Sequence, residues 1–276
     1  MKTEKRTKFS TLETLPLRQL VIQDRFWDRY IRLVKEVLLP YQWDILNDRA
    51  EGVKTSHCIQ NFKIAAGEAE GEFEGAVFQD TDVAKWLEAV AYALEVCPDE
   101  ELERLADETI NLIGRAQCED GYLNTYFTIK EPSLRWTNLK EGHELYTAGH
   151  MMEAAVAYYQ GTGKRRFLDV VQKMADLLCE TFGTEEGKIH GYPGHPEVEV
   201  GLIKLYRVTG KKKYLDLAKY FIDARGVGEN YFLKEMQSPE YKNIFPEFAG
   251  YQPVYSQSDR PVREQEAAEG HAVRAV

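Results

Sequence analysis

Two stretches of this sequence repeat one another: YQGTGKRRFLD over 159–169 and, 47 residues later, YRVTGKKKYLD over 206–216. A weaker third copy runs from Ala91 and Tyr92 through Cys97, Pro98 and Asp99 to Leu102. Each copy reads as the end of one helix, a short turn and the start of another. A period of this length marks stacked helical hairpins, since one hairpin cannot bury its own apolar faces. The repeat therefore limits the chain to an all-α fold of packed hairpin units.

The two helices of a unit differ in character. In the first, Ala148, Gly149, Met151, Met152, Ala154, Ala155, Val156 and Ala157 leave few polar faces, and a helix apolar nearly all round is buried nearly all round. In the second, Phe167, Leu168, Val171, Met174, Ala175 and Leu178 form one stripe with charges between, the spacing of a helix half in solvent. Alternating buried and amphipathic helices suit a double ring with the buried helices inside. An open solenoid also alternates, usually with a more polar concave face. The same reading gives an inner helix over 82–94, with Asp80, Thr81 or Asp82 as its cap, and an outer one over 100–115. Residues 121–126 and 187–196 read as connections rich in glycine and aromatic residues. Residues 229–261, with seven Tyr and Phe, read as an ordered excursion.

Composition excludes several functions. A formal charge of −10, with no basic run beyond Lys211-Lys212-Lys213, argues against nucleic acid, whose phosphates require a basic patch. No apolar stretch approaches the roughly 18 residues of a membrane span, and the polar, basic first 16 residues lack a signal-peptide core. Cys58, Cys97, Cys118 and Cys179 stand singly. They read as reduced, buried thiols of a cytoplasmic protein rather than a disulfide framework or a zinc knuckle.

Four of the six histidines follow a glycine: His143, His150, His195 and His271. Three of these pairs, at His143, His195 and His271, stand where a loop turns into an apolar helix, among unpaired N–H groups at the positive end of the dipole. Aromatic residues precede each: Tyr122, Tyr126 and Trp136 before His143, Tyr192 before His195, Tyr251 and Tyr255 before His271. Hydrogen-bonding imidazoles beside aromatic surface suit a sugar, whose hydroxyls and C–H faces need both. A single such histidine is as readily a helix-end cap. Recurrence at equivalent points of successive repeats favours a lined ring mouth. His150, seven residues after His143, lies on the same helix face one or two turns deeper, and its simpler reading is structural. His57 and His190 are weaker candidates. Asp80, Asp82, Glu197 and Glu199 stand near helix starts, where carboxylates stabilise a helix whatever else they do. No dinucleotide, phosphate-loop, serine-elbow or HExxH motif is present.

These segments resemble glycoside hydrolase family 127, the β-L-arabinofuranosidase family. The matching stretches run in order from Val21: Phe26-Trp27 with Arg29, 39–43 (LPYQW), Ser56-His57 with 61–67 (NFKIAAG), and Gly75 with 77–83 (VFQDTDV). Then come 120–123 (DGYL), 143–146 (HELY), 194–197 (GHPE) and 269–274 (EGHAVR). The resemblance implies an (α/α)6 barrel over 21–276 after a polar arm over 1–20, and retaining removal of L-arabinofuranose from an oligosaccharide or glycoside. It implies a cysteine nucleophile beside a zinc ion, with a glutamate as acid/base. By motif, Gln42, His143, His195 and His271 would contact the sugar. In the family the glutamate, the zinc ligands and the nucleophilic cysteine lie beyond the point where this sequence ends, and no metal ligand is assigned within it. The expectation is thus an incomplete ring, the N-terminal part of the barrel, that binds sugar without cleaving it and is prone to self-association. Two other readings fit the same helices: another (α/α)6 sugar enzyme, such as an epimerase or unsaturated-uronide hydrolase, and a non-catalytic helical-repeat scaffold.

Overall fold

The computed structural model describes residues 15–242. Its helices follow the hairpin pattern of the repeats. A short 3-10 turn at Leu17–Gln19 precedes α1 (Trp27–Leu33), which runs through one π turn at Val34–Leu38 into α2 (Leu39–Leu46). Pro40 has no N–H to return to the preceding turn, and a widened turn beside it accommodates that loss. After α3 (Cys58–Ala65) come the pairs α4 (Asp80–Val96) with α5 (Glu100–Ala116), α7 (Glu144–Thr162) with α8 (Arg166–Thr181), and α9 (Glu197–Thr209) with α10 (Lys212–Ala224). The short α6 (Thr125–Ile129) and α11 (Tyr231–Glu235) lie in the connections. No strand occurs among the described residues, only a bridge pair at Phe182 and Ile189.

The pairs stack in two rows. Helix α7 packs between α4 and α9 as the middle of an inner row, while α5, α8 and α10 follow one another outside it. The outer helices bury one stripe each, as in Phe167, Leu168, Val171, Met174 and Leu178 of α8. Burying a Leu or Phe stabilises by about 1.5–3 kcal/mol, so these stripes hold the outer row on. Two glycines set the inner spacing. A Cβ on Gly149 would lie 2.6 Å from the Glu197 backbone, and one on Gly201 would lie 2.8 Å from the Gly149 carbonyl oxygen. Helices α7 and α9 therefore meet backbone to backbone.

Both repeat turns end their inner helix on a left-handed glycine, Gly163 (φ 76°) and Gly210 (φ 71°). Each returns its N–H to the tyrosine four residues before, Tyr159 and Tyr206, at 2.8 Å. Asp99 caps α5 by accepting from the Leu102 N–H at 3.1 Å. At the start of the chain, Trp86 of α4 stacks on Trp43 at 4.6 Å and donates from Nε1 to the Leu39 carbonyl at 3.1 Å. The polar arm expected over 1–20 is tied down at its end, where Arg18 donates to the Gln160 carbonyl at 3.1 Å. The cysteine expectation needs correction. Only Cys58 is buried, Cys97 is exposed, and Cys118 and Cys179 are half-buried, all four as free thiols. The inner row is also less apolar than its sequence suggests, since Glu153 and Glu199 are buried on it while Val200 and Ile203 are exposed.

Candidate sugar-binding site

The first turns of α4, α7 and α9 bring the candidate residues to one end of the inner row. His143 precedes α7 in a left-handed conformation (φ 55°), uncommon for a residue with a Cβ and a mark of local strain. Its Nδ1 meets the Glu141 carbonyl oxygen at 2.5 Å. A carbonyl cannot donate, so Nδ1 carries the proton and Nε2 the lone pair of the neutral ring. The His195 ring lies 5.0 Å from it. Tyr146, one turn into α7, touches both rings, at 5.5 Å from His143 and 5.2 Å from His195. Phe78 closes the other side of His143 at 5.0 Å. Deeper on α7, His150 sits edge-on against Tyr146 at 4.5 Å.

Burial lowers the pKa of His143, His150 and His195 alike. The neighbouring His195 lowers His143 further, Lys85 lowers His150, and Arg225 lowers His195. The rings are therefore uncharged near neutral pH. The His143 donor is engaged by the Glu141 carbonyl, which leaves Nε2 as an acceptor, and the neutral His195 ring carries one donor and one acceptor. That suits hydroxyls better than carboxylates or phosphates.

Two buried carboxylates fix the loop that delivers His143. Glu144 accepts from the Tyr122 hydroxyl at 2.5 Å and from the N–H of left-handed Trp136 at 2.8 Å. Glu235, on α11, accepts from the Leu139 N–H at 2.6 Å and the Lys140 N–H at 3.4 Å. Burial pushes the first up to about 8 and the second up to about 7. The same loop locks the His195 loop: Gly194 donates to the Leu139 carbonyl at 3.1 Å. A Cβ at Gly194 would collide with the Lys140 carbonyl oxygen, so only glycine permits that approach. From below, Arg225 donates to the Pro193 carbonyl at 2.8 Å and pairs with buried Glu199 at 3.2 Å. The separation of the two rings is thus set by interlocked loops.

The other expectations fare differently. Gln42 is exposed on α2 and takes no part in the bonds and ring contacts that join His143 to His195. His271 lies outside the described residues. Asp80 does not cap α4. The N-cap is Gln79, and the Asp80 carboxylate turns inward to accept from the Thr125 N–H at 2.7 Å and hydroxyl at 2.5 Å. Burial raises its pKa to about 6 against the lowering effect of those bonds. His57 is bracketed by Asp48 at 3.3 Å and Glu74 at 3.1 Å, a loop staple. His190 borders a separate concavity of about 950 Å³ with Tyr220, Tyr231, Lys188 and Lys219. Lys188 and Lys219 are already paired there, with Glu185 and Asp223, so the histidine cluster is the better candidate. Tyr146 and Phe78 lie within the matching motifs, yet only the structure marks them as part of the site. For Tyr146 the sequence holds a signal: it falls three residues after His143 and four before His150, on one helix face.

A zinc bound by thiolate, which the family resemblance implies, does not fit the cysteines present. Cys58 donates to the Gln79 carbonyl at 3.4 Å, Cys97 lies against Lys35 at 3.2 Å, Cys118 against Arg135 at 3.2 Å, and Cys179 faces the Lys213 carbonyl at 3.7 Å. None of them joins a cluster of metal-ligating side chains among the described residues.

Comparison with known proteins shows the family to which the chain belongs. The family described as "Beta-L-arabinofuranosidase, GH127 catalytic domain" matches residues 19–276. The non-reducing end beta-L-arabinofuranosidase of Bifidobacterium longum subsp. longum is 46% identical over 271 residues, covering 92% of this chain and 41% of that protein. The crystal structure of a GH127 beta-L-arabinofuranosidase from Geobacillus stearothermophilus T6 superposes with a TM-score of 0.82 at 56% identity, over 89% of this chain and 38% of the other. A second GH127 beta-arabinofuranosidase structure gives 0.74 at 35% identity, over 91% and 37%. The chain spans about two-fifths of the length of the curated relative it matches. The double row of hairpins is part of an (α/α) barrel. Among the described residues no helix is long and apolar enough to cross a membrane.

Proposed function

Because the chain belongs to glycoside hydrolase family 127, we propose that it supplies the sugar-holding wall of a β-L-arabinofuranosidase acting on L-arabinofuranose-containing oligosaccharides or glycosides. The observation that carries this reading is the uncharged pair His143 and His195, 5.0 Å apart beside Tyr146. An acceptor on His143 and a donor and an acceptor on His195 meet ring hydroxyls, and Tyr146 and Phe78 offer surface to C–H faces. In the proposed site Gln42 and His271 add further hydroxyl contacts. Glu144 and Glu235 act on the sugar only through the loop they hold.

Bond cleavage in this proposal needs groups beyond those described. The zinc expected for the longer enzyme would supply a stabilised thiolate, and the four cysteines present offer no such centre. The 276-residue polypeptide then binds but does not cleave. The four free thiols support a reducing, cytoplasmic compartment. Exposed Phe26, Trp27, Tyr30 and Tyr41 support self-association of the isolated polypeptide.

Saturation-transfer NMR with methyl β-L-arabinofuranoside tests the binding claim. The expected result is transfer to the sugar protons, with His143→Ala and His195→Ala each weakening affinity by about tenfold or more, roughly 1.4 kcal/mol. Binding indifferent to both variants overturns the reading. Release of nitrophenol from an aryl β-L-arabinofuranoside by this polypeptide, unaffected by a chelator, overturns the claim that cleavage needs other groups.

A further inference from the structure

Below Tyr146 the inner row holds a second cluster that the sugar contacts do not use. His150 of α7, Glu153 one turn further and Glu197 at the start of α9 bring one imidazole nitrogen and two carboxylate oxygens within 4.8 Å of one another. The His150 Nε2 lies 3.6 Å from a Glu197 oxygen. It is shut off from solvent and has no hydrogen-bond partner. A buried ring nitrogen that has no hydrogen-bond partner and is clustered with two carboxylates leaves a gap that a ligand would fill.

We propose that His150, Glu153 and Glu197 form a binding site for one divalent first-row metal ion, zinc being the first choice. With metal–ligand bonds of about 2.0–2.2 Å, a tetrahedral site has edges of about 3.4 Å, close to the 3.6 Å separation of His150 and Glu197. An imidazole with two carboxylates is a borderline donor set that suits zinc, manganese or cobalt, and it leaves a fourth position for water. The fold prepares the site. At Gly149 the α7 backbone comes so close to α9 that a Cβ there would lie 2.6 Å from the Glu197 backbone. That approach sets the next residue, His150, beside the Glu197 carboxylate.

The local charge permits a cation. Lys204 pairs with one Glu153 oxygen and lies 3.6 Å from Glu88, so the second Glu153 oxygen is the one available to the ion. Three carboxylates, Glu88, Glu153 and Glu197, face two ammonium groups, Lys85 and Lys204, around a neutral ring. The proposal does not depend on which sugar is bound.

The test is calorimetric titration of the chelator-treated protein with zinc chloride, repeated optically with cobalt(II). One equivalent is expected to bind, giving a visible cobalt spectrum without a thiolate-to-cobalt charge-transfer band. His150→Ala and Glu197→Gln should each weaken binding at least about tenfold. Circular dichroism checks that both variants are folded, and Glu153→Gln replaces either one that is not. Absence of binding, affinity unchanged in folded variants, or a thiolate band would each overturn the assignment.

Discussion

The two ends of α7 are built on opposite principles. At its C-terminal end Gly163 turns left-handed into open space, where a Cβ would meet nothing within 4 Å, and closes the helix with one hydrogen bond to its own last turn. At its N-terminal end His143 is left-handed too, but with a side chain. Tyr122, Trp136, Leu139 and Gly194, from three separate loops, are bonded around it through Glu144, Glu235 and backbone groups. The first end is local chemistry that the next hairpin repeats. The second is tertiary chemistry made once, and it is the end that carries the candidate site. Strain held in place by distant partners is what a preorganised binding wall requires.

The comparison predicts unequal costs. Glu144→Ala should be the most damaging substitution, because it strands the Tyr122 hydroxyl and the Trp136 N–H together in a buried place. An unsatisfied buried donor costs about 1–3 kcal/mol, so a loss of roughly 3–5 kcal/mol is expected in urea denaturation. A loss below about 1 kcal/mol would show that the loop does not depend on this carboxylate. Gly149→Ala comes next. The added methyl meets the Glu197 backbone at 2.6 Å, and overpacking of this kind costs about 1–3 kcal/mol. It should also part His150 from Glu197.

The pH dependence follows from the same loop. The folded-state pKa values of Glu144 (about 8), Glu235 (about 7) and Asp80 (about 6) all lie above ordinary carboxylate values. For an acid whose folded pKa is raised, the stabilising effect is complete below the unfolded pKa. It is lost as pH rises through the folded one, since the folded state then binds fewer of the protons it favours. The melting temperature should therefore decline between about pH 5 and 8.5 from this source. Glu144→Gln, which resembles the protonated acid in shape and keeps an acceptor for Trp136, should flatten that decline. An equal decline in wild type and Glu144→Gln would assign the effect elsewhere.

The same contrast explains what is legible in the sequence. The hairpins are, because their turns are local: the glycine that ends α7 at Gly163 ends α9 at Gly210, and the stripe of α8 follows helical spacing. His143 and His195 are legible as glycine–histidine junctions, one just before α7 and one just before α9. Glu235 is not, since nothing in a sequence says that a glutamate 96 residues away accepts from the Leu139 N–H. Asp80 looks like a cap in the sequence and is not one, for a related reason. Carboxylates at helix starts are ordinarily caps, and only the packing of α6 against this end reveals Thr125 as its partner. Tyr146 lies between: its spacing is visible, but its contact with His195 crosses from α7 to the loop before α9.

The smallest effect expected is at the local end, and it is informative because it should occur twice. Gly163→Ala and Gly210→Ala each place a Cβ in open space but in the left-handed region, where the penalty is conformational. Each should cost about 1 kcal/mol, equal within the scatter of such measurements and additive in the double variant, because the two turns share no partner. Neither should alter sugar binding at the far end of the helices. A markedly larger cost at one glycine would mean that its turn is tied into tertiary structure as His143 is. A change in arabinofuranoside affinity would mean that the two ends of α7 are mechanically coupled, and that the rigidity of the site reaches down the helix to its turn.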